Sequence, residues 1–308
     1  MAAIVPLENS GGTRLKAPHT LSILALALLI ALSTRLDAVV SFAPGDVFVS
    51  LETGPIQWHL PDGTLRSILV PTVPGWGEGM AFDASGNLHV ARWCIEGPCE
   101  HTGNTIEKFN VLGQSMGAVG KNFNCNPHTI DFDAAGDAYV GQAGCRRTIL
   151  KFVQSEIDPT EHTVAVENQG VFWMDLAADG CTMFYTSIGP NVKRFDMCTD
   201  TQLADFNLEP LPGGTTHDLR VLPDGGVLVS SGLVIARLDQ FGVLAQTYAV
   251  PGENTLWAGL DLAANGTFWA ANYYSSNIHK FNLEDGAHLT SFNTGTPPNT
   301  AVAVRVMP

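Results

Sequence analysis

The chain has 308 residues, of which 45% are apolar and only 15% charged, and its 30 acidic against 16 basic side chains give a formal charge of −14. That apolar share is enough for a sizeable core, and an all-β barrel or propeller of this length need not split into domains. The acidity makes nucleic acid a poor partner, because attraction to phosphates needs clustered Lys and Arg.

Residues 1–43 read as a signal peptide or N-terminal anchor. The apolar run at residues 21–32, behind Arg14 and Lys16, has signal-sequence length and is short for a bilayer span. Ala38 and Ala43 offer cleavage points, and an uncleaved segment would leave the protein membrane-anchored. Residues 44–308 are then expected to be periplasmic or extracellular, with no membrane insertion of their own. All six cysteines, Cys94, Cys99, Cys125, Cys145, Cys181 and Cys198, lie in this part. An even number without zinc-type spacing favours disulfides in an oxidising compartment.

From residue 44 onward, tight turns recur at Pro44-Gly45, Ser85-Gly86, Ala135-Gly136, Asp179-Gly180, Asp224-Gly225 and Asn265-Gly266, with 41, 50, 44, 45 and 41 residues between successive glycines. That period is the length of a four-stranded propeller blade, so six turns imply six blades. Before each turn but the first stands an apolar strand: GMAF, HTIDF, FWMDL, HDLRV, AGLDL. After each comes another: DVFVS, NLHVA, DAYVG, TMFYT, GVLVS, TFWAA. A third strand carries a basic residue at a fixed place, Lys108, Lys151, Arg194, Arg237 and Lys280, read as a ladder pairing with acidic neighbours. The terminal AVAVRV has no turn after it. It can supply the inner strand that the first blade lacks and close the ring, with AVVSF at residues 38–42 as its competitor. The fold class is therefore all-β, a six-bladed β-propeller of four-stranded antiparallel blades.

GMAFDASGNLHVA followed by IEKFN resembles NHL-type repeats. The whole of residues 44–308 is similar to exported bacterial NHL-like propellers, and more broadly to virginiamycin B lyase and the gluconolactonase superfamily. The resemblance to gluconolactonases implies a metal held by a Glu on the first inner strand with Asn and Asp partners. Glu78 is loosely similar to that Glu, in a different local context. NPHTIDFDAAGDAYVG resembles the lyases, although no Glu-x-His or His-x-Glu pair occurs in this chain.

In a propeller the loops leading into the inner strands share one mouth, where ligands bind. Those loops bring Trp76, Glu78, His128, Trp173, His217 and Trp257 to it, and Glu78, His128, Phe172, His217 and Ala258 fall at equivalent positions. One carboxylate and two imidazoles around an axis suit a divalent metal ion, with Glu78, His128 and His217 as its ligands, or a general base. The ends of the second strands add Arg92, Gln142, Asn272 and Tyr273, an aromatic and amide-rich surface for a small molecule, glycan or protein ligand. Three residues further along the inner strands, Asp131, Asp175, Arg220, Asp261 and Arg305 would form an internal salt-bridge belt, with Ala81 the exception. The cysteines allow Cys125 with Cys145, Cys181 with Cys198 and Cys94 with Cys99, with exchange open among Cys94, Cys99, Cys125 and Cys145. The expected function is an exported, monomeric ligand- or protein-binding module. The alternative is a metal-dependent lyase or lactonase with its ion at the central channel.

Overall fold

The computed structural model describes residues 12, 40–70, 75–94, 103–121, 123, 125–144, 146–154, 158–253 and 256–308. The chain divides at Val40, and Ser41–Pro308 forms one compact unit. The expected leader lies outside the described residues except for Gly12 and its last four positions.

Among the described residues, twenty-four strands build six sheets. In chain order they are β1 (Val47–Leu51), β2 (Ile56–His59) and β3 (Leu65–Val70), then β4 (Trp76–Phe82), β5 (Leu88–Trp93), β6 (Thr105–Phe109) and β7 (Ser115–Val119). The third blade holds β8 (Pro127–Phe132), β9 (Ala138–Gln142), β10 (Thr148–Phe152) and β11 (Thr160–Thr163). The fourth holds β12 (Met174–Leu176), β13 (Thr182–Tyr185), β14 (Lys193–Asp196) and β15 (Thr201–Gln202). β16 (Thr216–Val221), β17 (Val227–Ser231), β18 (Ile235–Leu238) and β19 (Leu244–Tyr248) make the fifth. β20 (Trp257–Ala263), β21 (Thr267–Asn272), β22 (Asn277–Asn282) and β23 (His288–Asn293) make the sixth, and β24 (Ala301–Val306) follows.

Every sheet is a four-stranded antiparallel meander, and the first has the order β24-β1-β2-β3. β24 pairs with β1 from Val47 opposite Val306 to Ser50 opposite Ala303. The C-terminal strand therefore closes the ring, in preference to the stretch at residues 38–42. Of that stretch, Phe42 has another task. It is buried, packs edge-on against Phe48 and Trp58 at 4.7 and 4.9 Å, and donates its backbone N–H to Val111. The packed unit thus begins ahead of residue 44.

All six turn glycines have positive φ, from 66° at Gly266 to 88° at Gly136, a region that L-residues enter at a steric cost. Period-2 alternation then sends apolar side chains into the clefts between sheets, where six buried clusters lie. The third-strand ladder pairs at Lys108–Asp83, Lys151–Asp137 and Arg237–Asp224. Arg194 and Lys280 instead lie over the rings of Phe206 and Trp269. Cys181 and Cys198 form a disulfide across the fourth blade, and Cys94 and Cys125 are also disulfide-bonded. Cys99 and Cys145 lie outside the described residues.

Candidate functional site

Four inner strands slip register against their neighbours close to their starts: between Gly77 and Met80, Pro127 and Thr129, Thr216 and Leu219, and Trp257 and Gly259. A bulge leaves residues unpaired and re-aims their side chains. Glu78, His128, His217 and Ala258 sit inside these four bulges. Gly79, beside Glu78, has no room for a side chain: a Cβ there would meet the His128 carbonyl oxygen at 2.7 Å and the Trp173 ring at 2.8 Å. That close approach brings the second and third inner strands together at the rim.

The result is a pocket of about 280 Å³, whose lining takes one residue from the equivalent position of every blade: Glu78, His128, Phe172, His217, Ala258 and Val302. Its walls add the aromatic rings of Trp76, Trp93, Trp173 and Tyr273, with Glu52 and Gln169. A larger cavity of about 470 Å³ lies between the second and third blades, lined mainly by apolar residues such as Ile106, Val119, Phe132 and Phe152. The mouth pocket is the better candidate because polar groups converge in it.

Glu78 is 3% exposed. Its Oε1 accepts from Trp93 Nε1 at 2.5 Å, and its Oε2 lies 3.3 Å from His128 Nε2. Burial pushes the Glu78 carboxyl up to about 8, and the nearby Glu52 charge adds to the rise while the Trp93 bond works against it. Burial also lowers His128 to about 3, helped by His217, and His217 to about 4. Near neutral pH the Glu78–His128 contact is therefore a carboxylic acid donating to a neutral imidazole, not an ion pair. His128 Nδ1 is buried with no hydrogen-bond partner of good geometry. Across the pocket the Tyr273 hydroxyl donates to Glu52 Oε2, and the Tyr273 pKa is raised by burial and by that carboxylate.

The pocket thus gathers Trp76, Glu78, His128, Trp173, His217 and Tyr273 from the residues singled out in the sequence. Arg92, Gln142, Trp257 and Asn272 lie elsewhere. Arg92 is buried against Glu107 at 2.6 Å, and Gln142 donates to Thr148 Oγ1 at 2.9 Å. Trp257 packs edge-on against His279 and Phe281 between strands. Asn272 accepts from the backbone of Ser275. Sequence reasoning missed Glu52 and Trp93, for an identifiable reason. Arg92, Gln142 and Asn272 stand six residues after a turn glycine, whereas Glu52, Trp93 and Tyr273 stand seven after theirs. Side chains alternate faces along a strand, so a one-residue step separates the packed face from the pocket face.

The metal reading asks Glu78, His128 and His217 to share one ion. Among the described residues, the trio of metal-type donors that converges within 4.8 Å is Cys181, Asp196 and Cys198, around the disulfide. The Phe172 ring lies 3.8 Å from His128 and 5.8 Å from His217, centroid to centroid. The metal implied by the gluconolactonase resemblance is not matched by this donor set.

Beneath the rim lies the charged belt. Arg220 is buried, its Nε 2.7 Å from Asp261 and its Nη1 2.8 Å from Asp218. Arg305 lies 3.4 Å from Asp261 and 4.0 Å from Asp131. The aspartates also reach sideways to the next inner strand: Asp131 accepts from Leu176 N–H, Asp175 from Val221, Asp218 from Leu260 and Asp261 from Val306. Each carboxylate thereby ties one blade to the next. Asp218, at an intervening position, was missing from the belt read in the sequence.

No protein-family model matches the sequence, and no curated protein matches it. Among solved structures, virginiamycin B lyase from Staphylococcus aureus aligns with a TM-score of 0.55 at 13% identity, over 74% of this chain and 73% of that one. A Bacteroides caccae protein of unknown function aligns at 0.65 and 13% over 85% and 98%. A chain of a nidogen/laminin complex aligns at 0.68 and 11% over 86% and 99%. At these identities the likeness shows the fold: a six-bladed propeller distantly similar to the lyase propellers.

Proposed function

We propose that the protein is an exported binding module whose mouth pocket takes a small organic cation, an ammonium or guanidinium group free or carried on a larger ligand. One observation carries this reading. Two carboxyl groups, Glu52 and Glu78, face a pocket walled by aromatic rings, and among the described residues neither Lys nor Arg lines it. Both histidines are held neutral by burial. A cation would restore the ionised form of Glu78 and gain the attraction of the ring faces. The net charge of −14 would steer cations toward the protein. The leader and the disulfides support export. The metal-dependent lyase or lactonase asks Glu78, His128 and His217 to share an ion, and among the described residues these three do not bring their ligand atoms within 4.8 Å of one another.

The test compares choline with its uncharged carbon isostere 3,3-dimethylbutan-1-ol, following tryptophan fluorescence, since Trp76 and Trp93 line the pocket. Choline should bind at least tenfold more tightly than the alcohol, and Glu78→Gln should remove most of that preference. Equal binding of the two, or a preference unchanged in the variant, would sink the proposal.

A further inference from the structure

A second site lies on the sixth blade, away from the mouth pocket. His279 on β22 is 3% exposed, and its Nδ1 lies 3.2 Å from Nε2 of His288, the exposed first residue of β23. The other ring nitrogen of His279 meets Glu253 Oε2 at 2.8 Å, and Asn277 Nδ2 donates to the same oxygen at 2.9 Å. The Trp257 ring, 5.5 Å away centroid to centroid, packs edge-on and fixes the imidazole plane.

We propose that His279 and His288 form a surface binding site for a divalent transition-metal ion of the imidazole-preferring class, Cu²⁺, Ni²⁺ or Zn²⁺. Two nitrogens that share such an ion at about 2.0–2.1 Å stand roughly 2.9–3.4 Å apart, for square to tetrahedral angles. The observed separation falls within that range. Glu253 does for His279 what a carboxylate does behind a metal-ligating histidine: it accepts the Nε2–H, fixes the tautomer and leaves the Nδ1 lone pair directed at His288. Asn277 holds the carboxylate in turn. Without metal the same arrangement closes as a His288 Nε2–H to His279 Nδ1 hydrogen bond; an ion would take that place as His288 shifts to its Nδ1–H tautomer. The exposed side of His288 leaves room for water to complete the coordination. Cu²⁺ should bind most tightly of the three.

The experiment is Cu²⁺ titration of the tag-free protein followed by electron paramagnetic resonance. One equivalent of Cu²⁺ should show nitrogen hyperfine structure from two imidazoles, and Zn²⁺ should compete for the site. His288→Ala, a change at an exposed position that leaves the fold intact, should reduce the signature to one imidazole and weaken binding at least tenfold. Glu253→Ala should retain both nitrogens and weaken binding on the order of tenfold, as loss of an orienting carboxylate does. Absence of stoichiometric binding at micromolar Cu²⁺, or a spectrum and affinity unchanged in His288→Ala, would overturn the proposal and leave the pair as a hydrogen bond between two strands.

Discussion

The rim pocket and the belt beneath it are built on the same inner strands, a few residues apart, yet they treat charge in opposite ways. In the belt, Arg220 lies against Asp218 and Asp261, and each aspartate takes a backbone N–H from the next blade. At the rim, Glu78 is equally buried, but its neighbours are an indole N–H and a neutral imidazole. A buried carboxylate costs several kcal/mol unless a counter-charge or several donors compensate it. The belt supplies that compensation from within and ties the ring together. The rim leaves it incomplete, which is the signature of a group waiting for something from outside.

The largest effect should come from breaking the belt. Arg220→Leu leaves Asp218 and Asp261 buried without their shared cation, and should lower unfolding stability by about 3–5 kcal/mol in a denaturant titration. The Arg220 pKa already points this way. Burial opposes the guanidinium charge, yet Asp218, Asp261 and Asp175 outweigh it and raise the pKa above its ordinary value. A loss below about 1 kcal/mol would mean that the belt does not hold the blades together.

The rim predicts a pH dependence of definite sign. The Glu78 pKa rises from 4.5 unfolded to about 8 folded, so the stability that goes with its neutral form is fully present below 4.5 and is lost as pH rises through 8. His128 runs the other way, since its folded value of about 3 makes its contribution complete above 6.5 and lost toward acid. Glu78→Gln keeps the neutral shape and removes the first dependence. Between pH 5 and pH 7 the wild type should therefore lose roughly 2–3 kcal/mol relative to the variant, at up to about 1.36 kcal/mol per pH unit. Parallel stability curves for the two proteins would show that Glu78 titrates normally.

How much of this contrast can be read in the sequence depends on the strand. The six turn glycines, the closing strand and the belt positions repeat with the blade, so counting from one glycine to the next locates them. Glu78, His128 and His217 follow from counting back along the inner strands. The bulges that hold them break the simple alternation, and nothing in the residues says how far apart the imidazoles come to rest. On the second strands the same counting works only if it ends on the pocket-facing parity. Arg92 and Trp93 are adjacent in sequence, yet one pairs with Glu107 behind the sheet and the other bonds Glu78 in the pocket. Phe42 was hidden for a different reason: a single aromatic at the edge of a leader carries no repeat to mark it as core.

Asp175 tests where the belt begins to behave like the rim. Burial and the neighbouring Asp131 push it up to about 7, so it is far from a fixed anion at neutral pH, and its contact is the Val221 N–H at 2.6 Å. Asn keeps an acceptor for that N–H and gives up only the charge. Asp175→Asn should therefore gain on the wild type as pH rises from about 4 to 7, where the unfolded carboxyl ionises and the folded one does not, and the difference should level off above pH 7. A loss like that expected for Arg220→Leu would place Asp175 among the obligate anions instead.

The smallest effect belongs to a charge that stands in water. Arg237 meets Asp224 at 3.0 Å near the opposite mouth, with side chains 25% and 55% exposed. The pair has the same chemistry as Arg220 with Asp218, at nearly the same separation, and differs chiefly in burial. Solvent screens the attraction, and ordering two long side chains offsets much of what remains, so Arg237→Gln should cost no more than about 0.5 kcal/mol in the same denaturant titration. Raising the salt should shrink even that, while the Arg220→Leu deficit should be nearly insensitive to salt. Equal losses at the two arginines would mean that something other than desolvation separates the belt from the surface, and the case for an unsatisfied carboxyl at the rim would weaken with it.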